Sequence, residues 1–222
     1  MQRTIHVINP NHSGIVTQGI DAALAPLRLA GGPRIVCVTR EDGPAGIQTQ
    51  QDVDGAALPL VQRCLALPAD CAAVVIACFS DPGLHAVREA MAPRGVPVFG
   101  ISESGLLTAL SLGQRFGVIA ILQTSIPRHL RAYGAMGILD RFAGETAIGL
   151  QVSELADREL TFARMVAAGR HLVSERGADV LVMGCAGMAA FRDDLQTTLG
   201  VPVVEPTQAA VSMALGRVLL NW

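Results

Sequence analysis

No lysine occurs anywhere in the 222 residues, and all 17 basic side chains are arginine. An internal Schiff base to pyridoxal phosphate is therefore impossible, and so is a Walker-type phosphate loop, since each needs a lysine amine. Proton chemistry at carbon must run here without that electron sink. An excess of one charge is missing too. The formal net charge of −2 gives no electrostatic case for nucleic acid or an anionic membrane as partner. No uninterrupted apolar run approaches the roughly 18–20 residues that span a bilayer. The opening MQRTIHVINPN lacks the apolar core of a secretory signal. The five cysteines (37, 64, 71, 78 and 185) are odd in number and form no CxxC pair, so they are expected as reduced thiols in the cytoplasm. The five histidines show no HxH or HExxH spacing, and no metal site is expected. No G-x-G-x-x-G follows a strand-like run, which removes the usual dinucleotide fingerprint.

What remains is an apolar, regularly alternating chain. Half of the residues are apolar and 16% are charged, the composition of a globular protein with one large domain or two lobes. TIHVIN (4–9) reads as a strand stopped by Asn9-Pro10-Asn11, followed by a helix from about Ser13. RIVCVT (34–39) is the next strand. After a polar loop over 40–50, DGAALPLVQRCLAL has helical periodicity. AAVVIACF is a near-continuous apolar strand of the kind buried on both faces of a parallel sheet. Asp81-Pro82 reads as an N-cap with Pro at the first helical position, leading into GLHAVREAMA. VPVFGIS is a strand, 104–113 a helix and RFGVIAIL a strand ending at Gln123-Thr124-Ser125. IPRHLRAYGAMG follows as a helix. The stretch 140–152 carries no clear period. Beyond it come a long helix from ELADRELTF to about 176, strand DVLVMG, helix AAFRDDLQTTL, strand VPVVE and a last helix over 206–221. Strands alternating with helices predict an α/β fold with mainly parallel sheets.

Two segments echo each other. Cys78 ends the run AVVIAC and Cys185 ends VLVMGC, 107 positions apart, and each is followed by Gly-Val-Pro-Val, at 95–98 and at 200–203. The repeat predicts two similar Rossmann-like lobes related by a pseudo-two-fold axis, with the active site between them. The expected division is 1–97 plus 207–222 for one lobe and 98–206 for the other. Ligands of open α/β sheets bind beyond the carboxyl ends of the strands, where both cysteines fall. Two thiols can invert a carbon next to a carbonyl: one removes the proton from one face and the other returns a proton to the opposite face. Each cysteine precedes an expected helix start, whose free N–H groups favour a thiolate, and the pair would titrate together. Cys37, Cys64 and Cys71 have no counterpart in the repeat and read as core or surface residues.

INPN (8–11), ACFSDPGL (77–84) and GCAGM (184–188) resemble the hydantoin and allantoin racemases of the aspartate/glutamate racemase superfamily, over nearly the whole chain. The resemblance implies two α/β lobes, no cofactor, a cyclic ureide as small-molecule substrate, homo-oligomers from dimers to hexamers, and a two-thiol proton transfer by Cys78 and Cys185. It also implies a substrate pocket lined by Asn9, Asn11, Phe79, Ser80, Thr124, Ser125, Ala186 and Gly187. Amino-acid racemases of the superfamily follow the first cysteine with Asn-Thr and the second with Thr and another polar residue. The followers here, Phe79-Ser80 and Ala186-Gly187, suit a flatter, less charged substrate. Related arylmalonate decarboxylases keep only the second cysteine.

Several residues keep two readings. Asn9 and Asn11 either hydrogen-bond substrate or build a turn and cap. Thr124 and Ser125 bind ligand or cap the next helix, and Phe79 packs over a ring substituent or against a neighbouring helix. Glu103 and Glu205 end strands and either face the cleft or serve in lobe contact or capping. At the level of activity, the alternatives are a racemase or isomerase of an acyclic acid of the aspartate, glutamate or maleate type, and a two-lobed ligand-binding protein without chemistry.

Overall fold

The computed structural model describes residues 3–222. The chain forms two compact units, one running to Ser104 and taking back Thr207–Trp222, the other Gly105–Pro206. The first is built on strand β1 (Thr4–Asn9), helix α1 (Gly14–Ala23), β2 (Arg34–Thr39), α2 (Gln50–Leu65), β3 (Cys71–Ile76), α3 (Leu84–Met91), β4 (Val98–Gly100) and the start of α4 (Ile101–Leu112). Its four strands are all parallel, in the order β2-β1-β3-β4. The apolar run of β3 explains its central place: Val74, Val75 and Ile76 are fully buried. On one face Val74 and Ile76 meet Leu60, Cys64, Val87 and Met91 of the covering helices.

The second unit has β5 (Phe116–Ala120), α5 (Ile126–Ala135), β6 (Phe142–Ala147), α6 (Arg158–Ser174), β7 (Val180–Met183), α7 (Arg192–Leu199) and β8 (Val203–Val204), and α8 (Pro206–Leu220) then returns the chain to the first. Its strand order is β6-β5-β7-β8, again all parallel. Ile119, Leu181 and Met183 pack with Met165, Leu172, Phe191 and Leu195 in its core. The fold is α/β, as the alternation predicts.

Register makes the internal repeat concrete. Ile8 pairs with Ile76 and Val74 with Val98, while Ile119 pairs with Met183 and Leu181 with Val203. Ile8, Ile76 and Val98 thus hold the places that Ile119, Met183 and Val203 hold in the second sheet.

Three elements depart from expectation. The unreadable stretch 140–152 contains β6, whose FAGETA sequence has one β-branched residue and lies at a sheet edge. Strand β4 stops at Gly100, so Ile101 and Ser102 open α4 instead of extending the strand. Because β4 pairs with β3, residues 98–104 stay with the first unit rather than falling in the second as divided after residue 97. Among the described residues no helix is long and apolar enough to cross a membrane.

Candidate active site

In the first unit, the carboxyl ends of β1 and β3 lie side by side because the two strands pair. The ladder runs one residue past β3: the Ala77 N–H donates to the Ile8 carbonyl at 2.8 Å. Cys78 comes next, partly exposed. Asn9 ends β1 and is 1% exposed, and its amide is used internally. Its Nδ2 donates to Asn11 Oδ1 (3.0 Å), the Ser13 carbonyl (3.2 Å) and Thr17 Oγ1 (3.1 Å), and its Oδ1 accepts from the Asn11 N–H. Of its two readings, Asn9 takes the structural one: it builds the turn into α1, whose N-cap is Ser13. Asn11 Oδ1 is occupied by Asn9 and by the Ser13 N–H (2.9 Å), while its Nδ2 has no hydrogen bond to the described residues. Phe79 is 3% exposed, so its ring is packed inside the protein, and Ser80 is half-buried beside it.

The second unit repeats the design with different detail. Gly184 donates to the Ile119 carbonyl at 2.8 Å, the same bond as that of Ala77, and Cys185 follows. The glycine is required here, since a Cβ would stand 2.7 Å from the Ile119 carbonyl oxygen. Cys185 opens a 3-10 turn over Ala186–Phe191, and its own sulfur accepts the Gly187 N–H at 3.4 Å. Ala186 is buried and Gly187 is half-buried. At the neighbouring end of β5, Ser125 is buried and donates its hydroxyl to the Leu122 carbonyl (2.6 Å). Thr124 is exposed, and its hydroxyl has no hydrogen bond among the described residues. Each unit therefore gathers its own part of the expected set: Asn9, Asn11, Cys78, Phe79 and Ser80 in one, Thr124, Ser125, Cys185, Ala186 and Gly187 in the other.

The electrostatics correct one expectation. Burial pushes the Cys185 thiol up to about 11; the Gly187 N–H opposes that and the Glu205 carboxylate adds to it. A helix start behind the cysteine does not outweigh desolvation. Behind Cys78 no helix begins at once, for α3 starts only at Leu84. Cys64 and Cys71 are buried core thiols pushed up to about 12 and about 11 by desolvation, in keeping with a packing role. Cys37 is half-buried, and desolvation together with Asp21 pushes it to about 12.

Asp81 does not cap the helix that follows it. Its carboxylate reaches across to α4 and accepts the backbone N–H groups of Ser102 (2.9 Å) and Glu103 (2.8 Å). Glu103 in turn binds Arg88 through both oxygens. The sequence could not show this pairing, because cap and helix are separated by a whole strand.

Two further features escaped the sequence reading. Arg40, just beyond β2, donates its backbone N–H to the Asn9 carbonyl (3.0 Å). Its side chain is 10% exposed, and its Nη1 is enclosed without a hydrogen-bond partner among the described residues. In the second unit, His129 Nδ1 meets Glu145 Oε1 at 2.7 Å and the Tyr133 hydroxyl donates to Glu145 Oε2 at 3.1 Å, all enclosed beside Phe116 and Phe142. The i, i+4 spacing of His129 and Tyr133 on one helix was the available signal. No group of three or more His, Cys, Asp or Glu side chains that could hold a metal ion occurs among the described residues. A cavity of about 320 Å³ lies at the opposite end of β3 from Cys78, lined by Arg3, Asp70, Cys71, Arg217 and Trp222. It does not involve the paired cysteines.

Against known proteins, the model of the Asp/Glu/Hydantoin racemase family matches residues 5–214. The chain is 34% identical over 226 residues to a hydantoin racemase of Pseudomonas sp. (strain NS671), covering 95% of this chain and 84% of that protein. Among solved structures it superposes on allantoin racemase from Klebsiella pneumoniae with a TM-score of 0.90 and 31% identity, over 99% of this chain and 89% of that one. Allantoin racemase from Pseudomonas fluorescens gives the same TM-score at 28% identity, over 98% and 92%.

Proposed function

The chain belongs to the Asp/Glu/Hydantoin racemase family, and from that premise we propose that it racemises 5-substituted hydantoins or allantoin with Cys78 and Cys185 as the two proton carriers. The observation that carries the reading is the matched hydrogen bond of Ala77 and Gly184, which sets one cysteine at the same point of each half. One thiolate takes the proton from the ring carbon, breaking C–H, forming S–H and leaving an enolate on the neighbouring carbonyl. The other thiol then gives its proton to the opposite face of that carbon and becomes the thiolate. The ring leaves with inverted configuration, and the reverse reaction exchanges the roles.

With its proton held up to about 11, Cys185 starts as the thiol. Donors without a hydrogen bond among the described residues include Asn11 Nδ2, the Thr124 hydroxyl and Arg40 Nη1. They suit a substrate rich in carbonyl and imide oxygens, and donors aimed at an enolate oxygen supply much of the catalysis in proton transfers of this kind. Incubating single enantiomers in D2O tests the reading. Racemisation with solvent deuterium at the chiral carbon is expected for hydantoins or allantoin. Turnover of aspartate or glutamate with none on the ureides would overturn the assignment.

A further inference from the structure

We propose that Asp81 is a positioning residue for the reaction: by clamping the first turn of α4, it fixes the loop that presents the Cys78 thiol. The inference rests on the racemase reading for its consequence in turnover, and on geometry for the clamp itself. Asp81 has φ +43°, one of two non-glycine residues with positive φ among those described. L side chains enter that region at a cost, and such strain persists only where surrounding contacts over-determine it. Here the contacts are identifiable. The Asp81 N–H donates to the Cys78 carbonyl (2.9 Å), its carbonyl accepts from Leu84 (3.2 Å), and its carboxylate accepts from Ser102 and Glu103. One residue thus ties the cysteine's own peptide, the start of α3 and the start of α4 together. Bonds from N–H groups to an ionised carboxylate are among the stronger ones.

The sequence makes room for this arrangement. Gly100 immediately precedes α4, and a Cβ there would lie 2.3 Å from the Asp81 Cγ and Oδ2. At the corresponding place the second half carries Glu205, 2% exposed, acting on Cys185 directly. Both halves bring a carboxylate to this region, one from the loop and one from the strand end.

The clamp titrates. Burial pushes the Asp81 carboxyl up to about 7 against the pull of the two N–H bonds; the Glu103 carboxylate adds to the rise and Arg88 opposes it. His85, on α3, acts on Glu103 and is the neighbouring group that could mimic such a titration. Protonation replaces an acceptor by a hydroxyl and frees one α4 N–H, so the loop loosens as pH falls below about 7.

The test uses the intact chain and two readouts. For turnover, Asp81→Asn and Gly100→Ala should each lower kcat by roughly 10- to 100-fold with KM little changed, the scale of a misplaced reacting group. The double variant should be no worse than the poorer single, since both disrupt one contact. Independently of turnover, the alkylation rate of Cys78 by iodoacetamide, mapped by peptide mass spectrometry in the Cys185→Ser background, should change across about pH 7. That change should vanish in Asp81→Asn and persist in His85→Gln. Cys78 alkylation that is the same with and without Asp81, or that loses its pH step only in His85→Gln, overturns the proposal. Should Asp81→Asn fail to fold, Gly100→Ala and the His85→Gln curve decide by the same criteria. Unaltered kcat in a folded Asp81→Asn enzyme sinks the clamp and leaves the racemase reading intact. An alkylation step without any racemisation of ureides does the reverse.

Discussion

Each half ends its third strand on the same hydrogen bond and sets a cysteine directly after it, yet the two cysteines are held by different means. Cys185 is held by the turn it starts: its sulfur accepts the Gly187 N–H, and the backbone coils at once into a 3-10 turn. On the Cys78 side, Asp81 links the cysteine's carbonyl to the first turn of α4. The lesson is that a duplicated scaffold fixes where a reactive group stands, while the loop beyond it decides which contacts surround it. A racemase that accepts both enantiomers needs two proton carriers in matching places. It does not need them to have matching affinities for the proton.

Breaking the symmetry outright gives the largest expected effect. Cys78→Ser and Cys185→Ser should each lose racemisation by roughly 10²- to 10⁴-fold, the usual contribution of a positioned acid or base. Each should still exchange the ring proton of one enantiomer with D2O, and the two variants should prefer opposite enantiomers. Both exchanging the same enantiomer would remove the division of labour. Next comes the protonation of Cys185. With Cys185 pushed up to about 11, its alkylation at pH 8 should be on the order of a hundredfold slower than that of a free cysteine on thiolate fraction alone. The rate should climb without a plateau to pH 10, and a plateau below pH 9 would contradict the assignment.

The scaffold itself allows a smaller test. Gly184→Ala sets a Cβ against the Ile119 carbonyl at 2.7 Å and should cost about 1–3 kcal/mol in thermal unfolding. The counterpart Ala77→Gly should cost about 0.5–1 kcal/mol. Unchanged stability in Gly184→Ala would mean that the end of β7 accommodates a Cβ after all. The smallest effect concerns the central strands, where His6 in the first sheet corresponds to Gly117 in the second. His6 is 8% exposed with both ring nitrogens unpartnered, and burial lowers its pKa. The unfolded chain then binds the proton more readily, so stability is unaffected above pH 6.5 and falls as pH drops below it. His6→Leu should flatten denaturant midpoints between pH 5 and 7, and an unchanged slope would exclude His6 as the source.

What could be read in advance was what repeats or has a period. The apolar runs of β3 and β7, the paired Gly-Val-Pro-Val segments and the two cysteines announce an α/β repeat without any coordinates. Strand β6 was not legible, because Glu145 in its middle is made burial-competent only by His129 and Tyr133 on another element. The partner of Asp81 was hidden for the same reason: local rules assign a cap to the helix that follows, whereas this carboxylate serves one beyond the next strand. The direction of the Cys185 shift was misread because burial, which opposes a thiolate, leaves no local signature in the sequence.

The fit of Asp81 into the gap above Gly100 also constrains how this protein can change by descent. A Cβ at position 100 collides with the carboxylate, and replacing Asp81 by an apolar side chain leaves two N–H groups of α4 without their acceptor. Neither position can drift alone without passing through an impaired intermediate. The second half, with Met188 and Glu205 at the matching places, sits on the other side of that barrier. Tolerance at positions 81 and 100 is thereby linked: a substitution at either one changes what the other can carry.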